Sequence, residues 1–519
     1  MQHCGALQST LSLSSHAVVT ATMPTRTCIS TMTLCLICLM LLLSPYSSSA
    51  LSTIKSNITP RKIVLLGGTG KIGTAVATHL LRRSTILPDI QLVLVGRNSQ
   101  KGHDSVQEVL HAASQLPNYS SSSLSSIKVE FECISNVWDA NELASLFQDA
   151  TAVIHTAGPY QHRYPVPLRT AIDCHVPVYV DVADPLEYLD ESLKLNDAAR
   201  TSGTAALIAA GAFPGLSNLL AMEAAQSLPP DCRIQDVGFN YFTAGLGGSG
   251  NVNLEITNLG FGESMPQYEK GKLRFYSQLP GKLLGKVDFF TNEQSPMAKR
   301  VGRQTVFSWP FPEAATVPRQ LGVSGRSHAA MGTAPDAWNV MLGLLVNIVP
   351  RSWWRNQKFS KFMADFSQPL VAATDVWLKW SSVDGVGETH AMRIDVTATC
   401  NNEDGTGNDS NNRIIQTPRH AVATIVQGHE SFRQCVGQSC AEFCIDLMEQ
   451  QMHQQVGGVA LVEQRYQEKE ARLRMVERMT KTPGTIDYSG PVVVSNGMGK
   501  AGPSNMDDVL AAMEYEVST

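Results

Sequence analysis

Gly68-Thr-Gly70-Lys-Ile-Gly73 is the stretch whose residue types and spacing speak most directly of chemistry. It fits G-x-G-x-x-G and follows Gly67. In that pattern the first glycine permits a tight turn. The second lets backbone approach a pyrophosphate, and the third lets a helix pack closely on a strand. The residues expected to hold a dinucleotide are therefore Gly67, Gly68, Thr69, Gly70, Lys71, Ile72 and Gly73, with a bare structural turn as the alternative. Arg97, Asn98 and Ser99 form a second group, with no acidic residue before Asp104. An NAD site usually carries Asp or Glu here for the ribose hydroxyls, whereas Arg suits the 2′-phosphate of NADP. NADP is the expected cofactor. Ala157, Gly158 and Pro159 form a third group, where glycine again admits close approach of backbone to a ligand.

Hydride transfer also asks for a group that can give or take a proton. Tyr160, His162 and Asp181 are the catalytic candidates, with Asp184 nearby and Arg163 able to hold an anion. Each has a plainer reading: Tyr160 and Asp181 as loop supports, His162 as a solvated loop histidine. No Tyr-x-x-x-Lys pair follows the fourth strand, and no spacing suits a metal or a Ser-His-Asp triad.

These groups need strand ends to carry them. Ile63–Leu66, Gln91–Val95, Ile127–Cys133, Ala152–His155, Val176–Val182 and Ala205–Ala210 read as short apolar strands. Helices are expected over Thr74–Arg83, Ala140–Phe147, Arg169–Cys174, Glu187–Thr201 and Asn218–Ser227. The alternation predicts an α/β domain, a Rossmann-type doubly wound parallel sheet, over residues 61–227. Further strands at Ile234–Thr243, Val301–Phe307, Met392–Thr399 and His420–Gln427 suggest a second α+β domain over 228–430, with a helix from Phe432 to Glu449. Ser120–Ser126 reads as an inserted loop. Gly245–Gly250 is a second glycine-rich run without a following Lys, so it is no P-loop.

Five of the seven tryptophans fall between Trp338 and Trp380. Val340–Val349 is apolar, and Trp353 and Trp354 follow beside Arg351, Arg355, Lys358 and Lys361. The apolar run is too short to span a bilayer. Trp next to cations suits peripheral membrane contact through 338–361. The alternative is a hairpin packed on its own domain or on a homodimer partner.

The chain has 519 residues and a formal charge of −5, and nothing in it suggests nucleic acid. Residues 1–50 hold no Asp or Glu, an apolar run at Leu34–Leu43 and a small-residue stretch ending at Ala50. That is a secretory signal pattern, with a retained anchor or a bipartite plastid signal as alternatives. Residues 51–60 are a linker. The sequons at Asn57, Asn118 and Asn408 matter only on a lumenal route. Seven cysteines outside the signal, without framework spacing, read as buried thiols rather than a disulfide scaffold. Residues 431–466 hold the late helix, and 467–519 read as a mobile tail with one short helix at Met506–Tyr515.

Taken together, Gly67-Gly-Thr-Gly-Lys-Ile-Gly73, Gly96-Arg-Asn98, His155-Thr-Ala-Gly-Pro-Tyr160, Pro177-Val-Tyr-Val-Asp181 and Gly211-Ala-Phe-Pro-Gly-Leu-Ser-Asn218 resemble the saccharopine dehydrogenase-like oxidoreductases. Gly385-Val-Gly-Glu388, Ala391-Met-Arg-Ile394 and Gly457-Gly-Val459 extend the resemblance over roughly 62–465. It implies an NADP-binding Rossmann domain, an inserted α+β domain and a C-terminal helix returning to the first domain. It also implies a small-molecule or lipid-like substrate, and membrane or lipid-droplet association in some members. Three functions stay open: NADP-dependent hydride transfer, non-catalytic NADP binding in a membrane or assembly protein, and true saccharopine reduction. The last would need at least two arginines in the cleft to hold an amino-diacid.

Overall fold

The structure is a computed structural model and describes residues 61–83, 89–115, 127–244, 251–381, 388–400, 407–408, 414–415, 419–454 and 457–496. The expected signal segment and linker, the Ser120–Ser126 loop, the Gly245–Gly250 run, the sequons at Asn57 and Asn118 and the Met506–Tyr515 helix lie outside them. Thr59–Thr519 form one unit, separate from Met1–Ile58.

The chain builds two seven-stranded sheets. In chain order the strands are β1 (Arg61–Leu66), β2 (Ile90–Gly96), β3 (Lys128–Cys133), β4 (Ala150–His155), β5 (Val178–Asp181), β6 (Ala205–Ile208), β7 (Cys232–Ala244), β8 (Leu283–Asp288), β9 (Arg303–Ser308), β10 (Ser327–Ala334), β11 (Thr389–Cys400), β12 (Arg419–His429), β13 (Gly458–Leu461) and β14 (Thr485–Asn496). The first sheet is all parallel, in the order β13-β6-β5-β4-β1-β2-β3. This is the doubly wound order that reverses between β1 and β4, and ligands of such sheets collect at that reversal. The second sheet is mixed, β8-β9-β10-β7-β11-β12-β14, with β10 parallel to β7.

A strand buried on both faces needs a continuous apolar run, and β1 and β2 supply it. Side chains alternate across the sheet, so Ile63, Leu65, Leu92 and Leu94 enter one core while Val64, Leu66, Val93 and Val95 enter the other. The first core also takes helix α1 (Lys71–Arg82). Helix α2 (Ser99–Ser114) follows β2. Further along come α3 (Leu216–Ser227), α4 (Asn251–Gly260), α5 (Glu313–Leu321), α6 (Asp336–Ile348), α7 (Gln357–Ser381) and α8 (Phe432–His453). Helix α8 is the returning helix. It is buried on every side from Cys435 to Met448, and the charges it takes inside, Glu442 and Asp446, are each paired. Gly437 sits against α1, where a Cβ would come within 2.6 Å of the Ala75 methyl. Glu442 of α8 ties His79 at 2.8 Å and Arg83 at 2.9 Å.

Four features depart from expectation. The single helix over Glu187–Thr201 is two, Leu186–Leu193 and Asn196–Ser202. The break lets the Asn196 side chain accept from the Val459 amide at 3.0 Å, which fixes edge strand β13. Residues after 467 are not simply a tail, since a helix at Lys469–Thr480 and strand β14 lie there. Met475, Val476 and Met479 bury that helix, and Gly484 (φ +90°) makes the turn that sends β14 antiparallel along β12. A disulfide joins Cys232 to Cys400, against the expectation of free thiols at both. The antiparallel register of β7 and β11 sets those two residues opposite each other, a long-range pairing that spacing does not reveal. Finally, Cys133 and Cys174 are not buried, whereas Cys435, Cys440 and Cys444 are buried thiols as expected.

Candidate functional site

The glycine loop joins the end of β1 to α1 at the point where the strand order reverses. Gly67 (φ +79°) makes the turn, so the positive-φ residue precedes the three-glycine pattern rather than starting it. Its amide donates to Val95 O at 3.0 Å, which anchors the loop on β2. A Cβ on Gly68 would lie 3.0 Å from Leu94 Cα, and one on Gly73 only 2.2 Å from Gly67 O. Gly70 differs: a Cβ there would meet only Gly67 O, at 3.1 Å. Its open side faces no protein atom, the room that a phosphate needs. Gly70 is also the N-cap of α1, with no side-chain cap and no acidic residue in the first turn. The first amides of a helix lack partners within it and carry the positive end of its dipole. Lys71 is exposed and Ile72 half-buried beside them. Thr69 packs over Gly96, where a Cβ would come within 2.6 Å of its hydroxyl oxygen. The loop fits a dinucleotide pyrophosphate on these grounds.

At the end of β2, Arg97, Asn98 and Ser99 are all exposed. Asn98 caps α2, its side chain accepting from the Lys101 amide at 2.9 Å. Arg97 stands just before that helix start, and its charge reaches Glu255 on α4. At the end of β4, Thr156 donates its amide to Leu66 O at 2.8 Å and holds Ala157, Gly158 and Pro159 beside the glycine loop. A Cβ on Gly158 would touch Ile256 of α4 at 3.4 Å, so helix α4 covers this loop.

The catalytic candidates separate. Tyr160 is buried among Trp138, His155 and Tyr188, and its hydroxyl donates to His155 O at 2.7 Å. Burial, with Asp181 adding, pushes its pKa well above 10. Asp181 is fully buried and accepts from the amides of Ala209 at 2.9 Å and Ala183 at 3.2 Å. Burial lifts its pKa to about 6 against those two bonds. Both residues hold strand ends in place, the plainer of the two readings, because neither side chain reaches open space. His162 (φ +57°) is exposed, with Nε2 3.6 Å from Glu263 and Nδ1 3.9 Å from Glu187.

His162 does line a cleft of about 650 Å³ between the strand ends of the first sheet and α4. Gln161, Asp184, Glu187, Glu263, Ile256 and Trp309 share its wall. Burial raises the Asp184 carboxyl to about 7, and the nearby Glu263 charge adds to that. Gln161 donates to Asp184 at 3.4 Å. Glu263 is raised too, by burial first, while His162 and Arg355 pull it down. Behind the cleft, Tyr241 donates to Glu313 of α5 in a fully buried pair. Burial pushes Glu313 to about 8, with Glu463 and Asp184 adding. Asn218 links this cluster to the Gly211–Asn218 turn by accepting from the Gly215 amide at 3.0 Å and donating to Glu463 at 2.8 Å. Sequence reasoning missed Glu263, Glu313 and Glu463. Nothing local marks them, because Glu263 and Glu313 reach the site through the packing of α4 and α5, and Glu463 through the late edge strand β13.

The strand order, the glycine loop at its reversal and the flanking second sheet define a Rossmann-type dinucleotide-binding fold of the kind found in NAD(P)-dependent oxidoreductases. Comparison with solved structures returns proteins of that class. A dehydrogenase (MviM) from Clostridium difficile is 7% identical, with TM-score 0.32, over 81% of this chain and 98% of its own. Levoglucosan dehydrogenase in complex with NADH is 8% identical, with TM-score 0.32, over 81% and 98%. AtPrR2 with NADP+ and (+)pinoresinol is 14% identical, with TM-score 0.21, over 34% of this chain, which spans 58% of its length. None of the three is described as saccharopine dehydrogenase-like. No family model matches the chain, and no curated protein matches it in sequence.

Proposed function

We propose that the chain is an NADP-dependent oxidoreductase acting on a small or lipid-like molecule held in the cleft between the first sheet and α4. The observation that carries this reading is the glycine loop, closed to any side chain at Gly73 yet open at Gly70, next to a separate cleft of about 650 Å³. When bound, the nicotinamide supplies or accepts a hydride equivalent. The chain's own residues do the rest. Loop amides at the start of α1 hold the pyrophosphate, and Arg97 meets the 2′-phosphate. Ala157, Gly158 and Pro159 form the wall below Ile256, which excludes water there. Asp184, held near neutrality, takes or gives the proton. Glu263 tunes it from the cleft wall, with His162 beside Glu263.

Non-catalytic NADP binding is the second reading. The cleft favours turnover, since a binding-only protein needs no second cavity with a carboxyl poised near pH 7. True saccharopine reduction fits poorly, because the described cleft lining contains no arginine. The N-terminal segment is read as a secretory signal, and the Cys232–Cys400 disulfide supports an oxidising compartment. The test is titration of the full chain with NADPH and NADH, followed by a search for substrate-dependent NADPH oxidation. Tighter NADPH binding with turnover is expected. Binding without turnover across a broad carbonyl and enoyl panel would select the second reading, and no binding of either cofactor would remove both.

A further inference from the structure

Helix α6 is built inside out. It has thirteen residues and one charge, Asp336, and its only fully buried residue is the polar Asn339. The Asn339 side chain donates to Thr333 O at 2.8 Å and accepts from the Thr333 amide at 3.2 Å, so it serves as an anchor to β10. Meanwhile Val340, Leu344 and Ile348, at i, i+4 and i+8, are each more than half exposed. Helix α7 repeats the pattern with Phe362, Phe366 and Leu370, and Trp353 stands exposed between the two helices. Isolated exposed apolar residues are ordinary, but two stripes on adjacent helices mark a contact surface.

We propose that this face of α6 and α7 docks onto an anionic lipid bilayer as a peripheral contact. Charge complementarity chooses the occupant. The segment 336–373 carries Arg351, Arg355, Lys358 and Lys361 against Asp336 and Asp365; Lys361 pairs with Asp365 at 2.9 Å, which leaves Arg351, Arg355 and Lys358 against Asp336, in a chain whose formal charge is −5. Cations beside an exposed Trp and an apolar stripe match the order of layers at an anionic membrane surface. A second copy of the chain fits less well, because a two-fold contact through the same patch sets Lys358 and Lys361 near their own mates. No helix among the described residues is long and apolar enough to cross a membrane, so the contact stays at the surface. The apolar cavity shared by α4, α6 and α7 measures about 80 Å³, too little for an acyl chain, which leaves the outer stripes as the contact.

The platform is firm. Trp354 is buried, Ser360 donates to Trp354 O at 2.6 Å, and Asn258 of α4 donates to Ser360 O at 3.0 Å. Helix α4 thus touches the docking platform through Asn258 and the Gly158 loop through Ile256. Docking would place the cleft next to the bilayer.

The experiment compares the full chain with Leu344→Ser/Ile348→Ser/Phe362→Ser/Phe366→Ser in sedimentation with phosphatidylcholine vesicles, with and without phosphatidylserine. The apolar run near the N-terminus is common to both proteins, so the difference reads this face alone. The four positions are exposed, and melting should be unchanged. Partitioning onto the anionic vesicles should fall at least about tenfold. In a second variant, Lys358→Glu/Lys361→Glu, the preference for anionic over neutral vesicles should be lost while the stripes stay intact. Equal binding by wild type and both variants overturns the proposal. A solution dimer that the four-site variant dissolves, with vesicle binding unchanged, assigns the face to a second copy and overturns it equally.

Discussion

Gly70→Asp separates folding from cofactor binding. Gly70 has φ −83° and caps α1 with no side chain to meet the helix amides. A Cβ there would touch only Gly67 O, at 3.1 Å. Aspartate is a preferred N-cap and glycine a slightly poorer one, so the helix gains a few tenths of a kcal/mol. The same carboxylate enters the space assigned to the pyrophosphate. One unit charge at about 4 Å, with an effective dielectric near 20, gives about 4 kcal/mol of repulsion. That is roughly a thousandfold in affinity. The variant should therefore melt at or slightly above the wild-type temperature and lose measurable NADPH binding by calorimetry. Gly70→Ala, with no charge, should lie within about tenfold of wild type. Gly73→Ala should fail differently, by unfolding, since its Cβ would stand 2.2 Å from Gly67 O. If Gly70→Asp keeps its NADPH affinity, the loop does not hold a pyrophosphate. A sharp drop in its melting temperature would instead refute the open geometry at Gly70.

Three further outcomes are expected. Arg97→Asp should weaken NADPH by roughly ten- to a hundredfold and NADH far less, because a charge-assisted hydrogen bond is worth about 1.5–3 kcal/mol; equal losses in a fluorescence titration would exclude contact with the 2′-phosphate. Asp184→Asn should lower turnover by roughly 10²–10⁴ and erase an inflection near pH 7 in the rate profile, leaving NADPH affinity intact. Glu313 is raised to about 8, above the ordinary carboxylate value near 4.3, so the stability it contributes is present at low pH and is lost as pH rises through 8. Wild-type stability should fall with rising pH between roughly 5 and 8 from this group, by up to about 1.4 kcal/mol per pH unit, and Glu313→Gln should flatten that slope in denaturant melts.

The first sheet was legible because its information is local. Each strand is a short apolar run, and each strand end is marked by Gly, Pro or Asp within a few residues. The loop from Gly67 to Gly73 and its helix could be read from spacing alone. Helix α2 lies outside the expected helices although Asn98 caps it, since its first turn holds no acidic residue and its buried positions include Gly102 and Ser105. Distance in sequence hid the rest. Strands β13 and β14 join their sheets from positions far along the chain from the strands they pair with. Pro483-Gly484 reads as a chain breaker in isolation, but in the fold it is the turn that starts β14, and Gln438 holds it by donating to Pro483 O at 2.8 Å. Tyr160 and Asp181 carried the right residue types at the right strand ends. Whether such side chains point into the cleft or under it depends on rotamer and packing, which spacing does not encode.

The charge of the cleft narrows the chemistry of what enters it. Asp184, Glu187, Asp190, Glu191 and Glu263 line it, against Lys194 and His162. Lys194 is already paired with Glu191. Crowded carboxylates with partial burial keep protons longer than isolated ones, and Asp184 and Glu263 are both raised. Holding a proton on Asp184 relieves part of that repulsion. A substrate carboxylate would add to that repulsion, whereas a neutral carbonyl or enoyl group would leave the proton on Asp184, available to the reacting atom. A cationic substrate would draw the proton off and remove the acid that a reduction needs. Under the proposed function, this arrangement would suit reduction of a neutral group, the direction in which a proton and a hydride are consumed together.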